Sequence, residues 1–243
     1  MCGMTLLQVY TYTHYITSTY THYISLSGNS SQPIAINARI VQGSVLGPTL
    51  FNINSSYLSP LSPSNHYFKY ADDAYLLVPA SNSSTIPSEI LHHQAWASSC
   101  NLKLNPSKTS EIVFKRPRTP YPPLISGIHR VNSMQILGVM VDDKLQFAEH
   151  VRATITACSR SLFALRTLRS HGLSNKLLRL VFRSSILSKL TYASPSFVGF
   201  LSNAILDQLQ SFIRRAIKFG YYLPSDPKIL IIINLLSLPY IAM

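Results

Sequence analysis

Ten residues constrain this chain more than any others: Phe68-Lys69-Tyr70-Ala71-Asp72-Asp73-Ala74-Tyr75-Leu76-Leu77. Two apolar runs, 66–70 and 74–78, flank a pair of carboxylates, which is the pattern of a β-hairpin with acids at its tip. Asp is common in turns, so the pair alone reads as an ordinary turn. Side by side, however, like charges disfavour joint ionisation unless a cation compensates. A hard cation such as Mg²⁺ takes carboxylate oxygens while keeping waters and phosphates. Two such ions, about 4 Å apart, can clamp the attacking and leaving oxygens of phosphoryl transfer.

The rest of the chain divides by period. Residues 1–32 are low in complexity, with Thr-His-Tyr-Ile at both 13–16 and 21–24. They read as poorly ordered or added sequence, or as an edge hairpin, since Thr and Tyr suit strands. Asn37–Val41 reads as a strand entering the turn Gln42-Gly43-Ser44, and Thr49–Leu61 as helical at first. Pro87 marks a helix start that Thr85 could cap; its apolar stripe runs to Leu102, and Asn105-Pro106 ends it. Thr109–Phe114, Ile125–Val131 and Met134–Val141 read as strands around a basic, proline-rich loop, Lys115–Pro123. After Phe147 the period becomes 3.6, and Leu177–Leu190 is apolar almost all round, so it reads as a buried helix. The fold class is therefore α+β, with an all-helical second part.

Composition excludes several classes. Charged residues are 12% of the 243, about half of the ~25% usual in soluble domains. A highly charged disordered chain is excluded. Cys2, Cys100 and Cys158 are too sparse for a disulfide framework or a zinc site. Neither a signal peptide nor a span of ~18 apolar residues is evident, so the expected place is intracellular, cytoplasm or nucleus, without a membrane. The net charge of +12 points to a nucleic-acid partner. Residues 151–220 hold 11 Lys or Arg and one acid, Asp207. Among them, Arg152, Arg160, Arg214, Arg215 and Lys218 are candidates for tracking phosphates, or else a merely solvated face.

Four blocks stand in order: Gln42-Gly43-Ser44-Val45-Leu46-Gly47-Pro48, Tyr70-Ala71-Asp72-Asp73, Leu102-Lys103-Leu104-Asn105-Pro106-Ser107-Lys108-Thr109, and Leu137-Gly138-Val139 with Asp142 to Phe147. Their order and spacing resemble motifs B, C, D and E of the reverse transcriptases of non-LTR (LINE-type) retrotransposons. That resemblance implies an RNA-directed DNA polymerase using Mg²⁺, an RNA template, a DNA primer and deoxynucleotides. It implies a partial polymerase palm, a hairpin-centred antiparallel sheet with helices, over 33–148. A thumb-like helical region would follow over 149–222, then an unrelated apolar tail, 223–243. Asp72 and Asp73 match the metal-binding carboxylates. Gln42, Gly43 and Ser44 match the loop lining the nucleotide pocket, although an ordinary tight turn also fits them. Lys108 matches a lysine that steadies or protonates the leaving group, or is an ordinary surface lysine. Tyr70 matches an aromatic beside substrate or primer, or packs in the core. Asp142-Asp143 reads as a turn, not a second metal site.

One part of the family pattern is missing. No acid precedes Asp72, so the third carboxylate, on a motif A strand, has no place in this sequence. The expectation is a truncated copy whose sheet lacks a central strand and which does not polymerise alone. The alternative is a basic RNA- or DNA-binding remnant without catalysis. Oligomeric state is not legible.

Overall fold

The computed structural model describes residues 3–13, 19–22, 25–37, 45–100, 102–229 and 231–233. The chain forms two compact units, residues 1–132 and 133–243.

The first unit is built on strands β1 (Met4–Thr13), β6 (His66–Tyr70), β7 (Asp73–Pro79), β8 (Leu102–Leu104), β9 (Ser110–Phe114) and β10 (His129–Arg130). Short strands β2 (Thr19–His22), β3 (Ser25–Leu26), β4 (Asn29–Ser30) and β5 (Ile34–Asn37) pair among themselves, outside that sheet. The main sheet runs β10-β9-β1-β7-β6, with β8 also on β1. The first strand is therefore central. It pairs antiparallel with β7 (Leu6 opposite Leu77) and with β9 (Leu6 opposite Ile112). For Met4–Thr13 this corrects the expectation of poorly ordered or added sequence, and it corrects the expectation that the sheet lacks a central strand. The reason is local pattern: Thr5, Leu7 and Val9 alternate with Leu6 and Gln8, and strands on both sides bury all five.

One face of this sheet carries Leu7, Val9, Leu76 and Val78, closed by Ile86, with Tyr67, Ile90 and Leu104 packed against them. Burying each such aliphatic side chain contributes about 1.5–3 kcal/mol. Ile86 opens helix α2 (Ile86–Ser99), whose buried positions Ile86, Glu89, His93 and Ala97 recur at helical spacing. Two of those four are polar, and both lie beneath the hairpin described below. Helix α1 (Gly47–Ser56) carries Pro48 in its first turn, where a fixed φ and a missing N–H cost nothing.

Boundaries differ from the sequence reading in three places. The Thr85 side chain does not cap α2; its hydroxyl donates to the Asn82 carbonyl and accepts from Asn65. The helix ends at Ser99, and Leu102–Leu104 pairs with β1 as a strand. Of Ile125–Val131 only His129–Arg130 is strand; Arg130 bonds Glu111 at 2.6 Å and the carbonyls of Pro122 and Pro123 at 2.9 Å, tying down the proline-rich loop.

The second unit begins with a hairpin, β11 (Ser133–Ile136) and β12 (Val139–Asp142), so Met134–Val141 is two strands rather than one. Its turn residues Leu137 and Gly138 have φ of 45° and 87°, the left-handed pair of a tight hairpin turn. Tyr192 holds that turn: its hydroxyl donates to the Leu137 carbonyl at 2.8 Å. Phe147 stacks on Phe197 nearby. These contacts place the unit boundary at residue 132, not after 148. Asp142 caps the following turn, accepting from Lys144 and Gln146 backbone N–H groups, as a structural acid should.

Helices α3 (Ala148–Ser170), α4 (Asn175–Val181), α5 (Ser188–Thr191) and α6 (Asn203–Lys218) complete the unit. A π-helical turn, Phe182–Leu187, joins α4 to α5. Through it Leu178, Phe182, Ile186 and Leu190 form one buried stripe, whereas Leu177 and Leu180 are exposed. The segment 177–190 is thus buried on one side, not all round. Among the described residues, no helix is long and apolar enough to cross a membrane. Cys100 and Cys158 are free thiols.

Candidate functional site

Strands β6 and β7 pair from His66–Leu77 to Tyr70–Asp73, leaving Ala71 and Asp72 as the two-residue turn. Ala71 takes φ of 50°, a left-handed conformation that costs a side-chain-bearing residue free energy. The turn persists because both strands are held elsewhere. On β6, the Lys69 ammonium donates to the carbonyls of Ser55 (2.6 Å) and Leu58 (2.7 Å), capping the C-terminal end of α1. Burial holds that ammonium below the usual lysine range. Ahead of β6, the fully buried Glu89 carboxylate accepts from the backbone N–H of Leu61 and Ser62 and from the Asn65 side chain.

At the tip, Asp73 is half-buried and Asp72 exposed. Burial pushes the Asp73 carboxyl above its ordinary range, and the Asp72 charge adds to the push. Two groups oppose it: the Tyr75 hydroxyl, which donates at 3.3 Å, and the positive charge of Lys108. Gln8, on β1, donates to the same Tyr75 hydroxyl at 3.3 Å. Such an environment favours a cation beside the pair.

Lys108 is exposed on the turn between β8 and β9, and Asn105 builds that turn. Its carbonyl accepts from the N–H groups of Lys108 and Thr109, and its side chain from Ser107. Because β9 and β7 both pair with β1, this turn lies at the end of the sheet where Asp73 stands. Tyr70 is 65% exposed and Phe68 is 57% exposed, so neither packs in the core. In the hairpin register Phe68 faces Tyr75 and Tyr70 faces Asp73, which puts two open rings on the sheet face of that carboxylate. Phe68, Tyr75 and Gln8 were not singled out from sequence. Period-2 alternation from Asp73 finds Tyr75, and the same alternation back from Tyr70, its partner across the turn, finds Phe68.

Gln42, Gly43 and Ser44 lie outside the described residues. In the second unit Arg152, Arg160, Arg214, Arg215 and Lys218 are all exposed, the first two on α3 and the others on α6. Arg215 donates to the Ser159 hydroxyl at 3.4 Å, which links α6 to α3. None of the five is ion-paired among the described residues; the pairs there are Arg130–Glu111 and Arg183–Asp226.

A divalent cation can be tested against these donors. Asp72 and Asp73 supply two adjacent carboxylates, enough for one Mg²⁺ that keeps waters and substrate phosphates. A two-ion clamp needs more. Among the described residues no group of three His, Cys, Asp or Glu could hold a metal, and the β1 residue opposite Asp73 is Tyr10. The donors fit one ion and not a pair.

Comparison with known proteins covers the segment that contains the hairpin. The family model for reverse transcriptase (RNA-dependent DNA polymerase) matches residues 4–141, which include β1. Three similar proteins come from Drosophila melanogaster. The RNA-directed DNA polymerase from mobile element jockey is 29% identical over 53% of this chain. The probable RNA-directed DNA polymerases from transposon BS and from transposon X-element are 27% and 30% identical over 60% and 58% of it. The chain spans only 16%, 18% and 17% of those proteins. With the match running from the central strand through the carboxylate hairpin and across more than half its length, the chain belongs to the reverse transcriptase family.

Proposed function

We propose that this chain is a partial polymerase palm followed by a thumb-like helical segment, which engages an RNA template and a DNA primer but does not polymerise by itself. The observation that carries this reading is the β6–β7 hairpin. It sets Asp72 and Asp73 at one end of the sheet, with Lys108 acting on Asp73 and the rings of Phe68 and Tyr70 open beside it. Open aromatic faces suit base stacking. Asp72 and Asp73 would hold a Mg²⁺ ion, whose chemistry is to stabilise charge on a transferring phosphate. Lys108 would supply a positive charge to the same phosphate, and Gln42, Gly43 and Ser44 would line the nucleotide.

What limits the chemistry is the acid-free central strand. Without a third carboxylate the second ion has no anchor, and loss of such electrostatic stabilisation costs several kcal/mol of barrier. The purified chain should therefore fail to extend a primer on RNA with deoxynucleotides and either Mg²⁺ or Mn²⁺. Extension that Asp72→Asn abolishes would overturn the reading. Binding is the positive test: affinity for a primer–template should fall steeply with salt, because Arg152, Arg160, Arg214, Arg215 and Lys218 face water unpaired.

A further inference from the structure

Within the second unit lies a solvent-open cleft of about 460 Å³, lined by Arg169, Asn175, Arg179, Lys218, Phe219, Gly220 and two aliphatic residues. Three of its eight lining residues are cations and none is an acid. The acid on the loop beyond it, Asp226, is engaged by Arg183 at 2.5 Å and by the Leu223 N–H at 2.8 Å.

Two of the three cations are held in place. Arg169 donates to the Phe219 carbonyl at 2.7 Å, and its guanidinium lies 4.4 Å over the Tyr221 ring. Its Nε–H is buried and has no hydrogen-bond partner. Arg179 donates through Nε to the Asn175 carbonyl at 3.2 Å, which leaves its terminal nitrogens for another group. A fixed guanidinium loses little rotamer entropy on binding, and its fork matches phosphate oxygens.

The backbone carbonyls at the helix ends around the cleft are also largely occupied. A helix C-terminus ordinarily repels anions through its bare carbonyls. Here both helix ends close on themselves. At the end of α6, Gly220 donates to Ile217 and Tyr221 to Ala216; at the end of α3, Gly172 donates to Arg169 and Leu173 to Leu168. This is the Schellman arrangement, with glycine at the left-handed position in both cases, φ 72° and 87°. Beside the cleft, Arg166 sits 5.5 Å over the Phe219 ring. The cations therefore continue past the opening, as a strand of linked phosphates would need and a single free phosphate would not.

We infer that this cleft seats a phosphodiester of a nucleic-acid strand, with Arg169, Arg179 and Lys218 as its ligands. The inference deepens the proposed function and rests on it, and these residues lie apart in sequence from the Asp72–Asp73 hairpin. The test uses the full chain and fluorescein-labelled oligo(U) and oligo(dT), titrated between about 50 and 200 mM salt, the span over which phosphate contacts lose most affinity. Against the unmodified chain, Arg179→Gln/Lys218→Gln should bind roughly tenfold or more weakly at low salt. Its log–log salt slope should flatten by about 1.4, two contacts at ~0.7 each for single strands. Lys189→Gln, on α5 and outside the cleft lining, should keep the slope. In the unmodified protein, the Arg169 Nε–H resonance should shift when the oligonucleotide is added and stay put with polyglutamate; this readout does not depend on any variant folding. If the chain binds with a steep slope that the double variant keeps, the cleft assignment falls and the polymerase reading stands. If the unmodified chain shows no salt-dependent binding, both fall. A resonance that moves with pyrophosphate alone and not with the oligonucleotide assigns the cleft to small free phosphates and overturns the inference.

Discussion

Glu89→Gln isolates what holds the carboxylate hairpin in register. The Glu89 side chain is fully buried and accepts three hydrogen bonds. One oxygen takes the Ser62 N–H (3.0 Å) and Asn65 Nδ2 (2.8 Å); the other takes the Leu61 N–H (3.1 Å). An amide of the same shape can keep the first oxygen but must point its NH₂ at the Leu61 N–H. Leaving that donor unpaired costs about 1–3 kcal/mol, and turning two charge-assisted bonds into neutral ones costs about 1 kcal/mol more. The opposing effect is relief from burying a charge. Three donors already converge on the carboxylate, so the loss should win, with a net cost of about 3 kcal/mol. At a urea dependence of ~2 kcal/mol per M, the midpoint should fall by roughly 1.5 M. Hydrogen exchange should quicken first at Asn65–Tyr70, the segment those bonds lead into. An unchanged or higher midpoint would show that desolvation outweighs the three bonds and would refute the account of how β6 is anchored.

Three further outcomes follow from the same structure. Burial pushes His93 down to about 4, with His92 and Lys69 adding to the effect, so the folded state disfavours its protonation. Stability should be full above the unfolded-state value near 6.5 and should decline as pH falls toward 4, by about 3 kcal/mol in all. His93→Phe, set between the Tyr67 and Trp96 rings, should flatten that decline in thermal melts. Asp73 is raised instead, so its ionised form weakens the fold at neutral pH. Asp73→Asn should raise Tm at pH 7, and the gain should vanish as pH falls through the carboxyl range. Gly138→Ala would place a Cβ 3.3 Å from the Tyr192 ring at a left-handed φ, costing at least about 1–2 kcal/mol by denaturant titration. Tyr192→Phe should cost only about 1 kcal/mol.

The parts legible from sequence are those whose signal is local. Asp72-Asp73 between alternating apolar runs specified a hairpin, and β6–β7 is that hairpin. Pro87 marks the start of α2, and the apolar stretch from Thr49 falls on α1. The parts that were not legible depend on distant partners. Met4–Thr13 reads as bland Thr/Tyr sequence, and only its pairing with residues 73–79 and 102–114 makes it central. Leu102 continues a helical spacing, yet Asn101 is followed by a strand because β1 offers an edge there. Met134–Val141 is one apolar run, and the break at Leu137-Gly138 is fixed by Tyr192, more than fifty positions later. Around the candidate site, the Asp72-Asp73 pair stands out by pattern, whereas Lys108 comes only from the family resemblance. Gln8 comes from neither, because its relation to Tyr75 exists only once β1 is in the sheet.

The central position of β1 also sets a timetable for synthesis. The first 38 residues carry no charged side chain, and their Thr, Tyr and Ile content favours extended pairing. Leu6 waits for Leu77, 71 positions later, and then for Ile112, 106 positions later. At ~5–20 residues per second, the strand stays on the nascent chain without its partners for roughly 4–14 s before β7 emerges, and longer before β9. During that interval it is an uncharged template for any other extended chain, with no gatekeeper residue to deter pairing. The segment that completes the sheet is thus the one most dependent on chaperone cover, and expression yield should respond to translation rate more than to the stability of the finished fold.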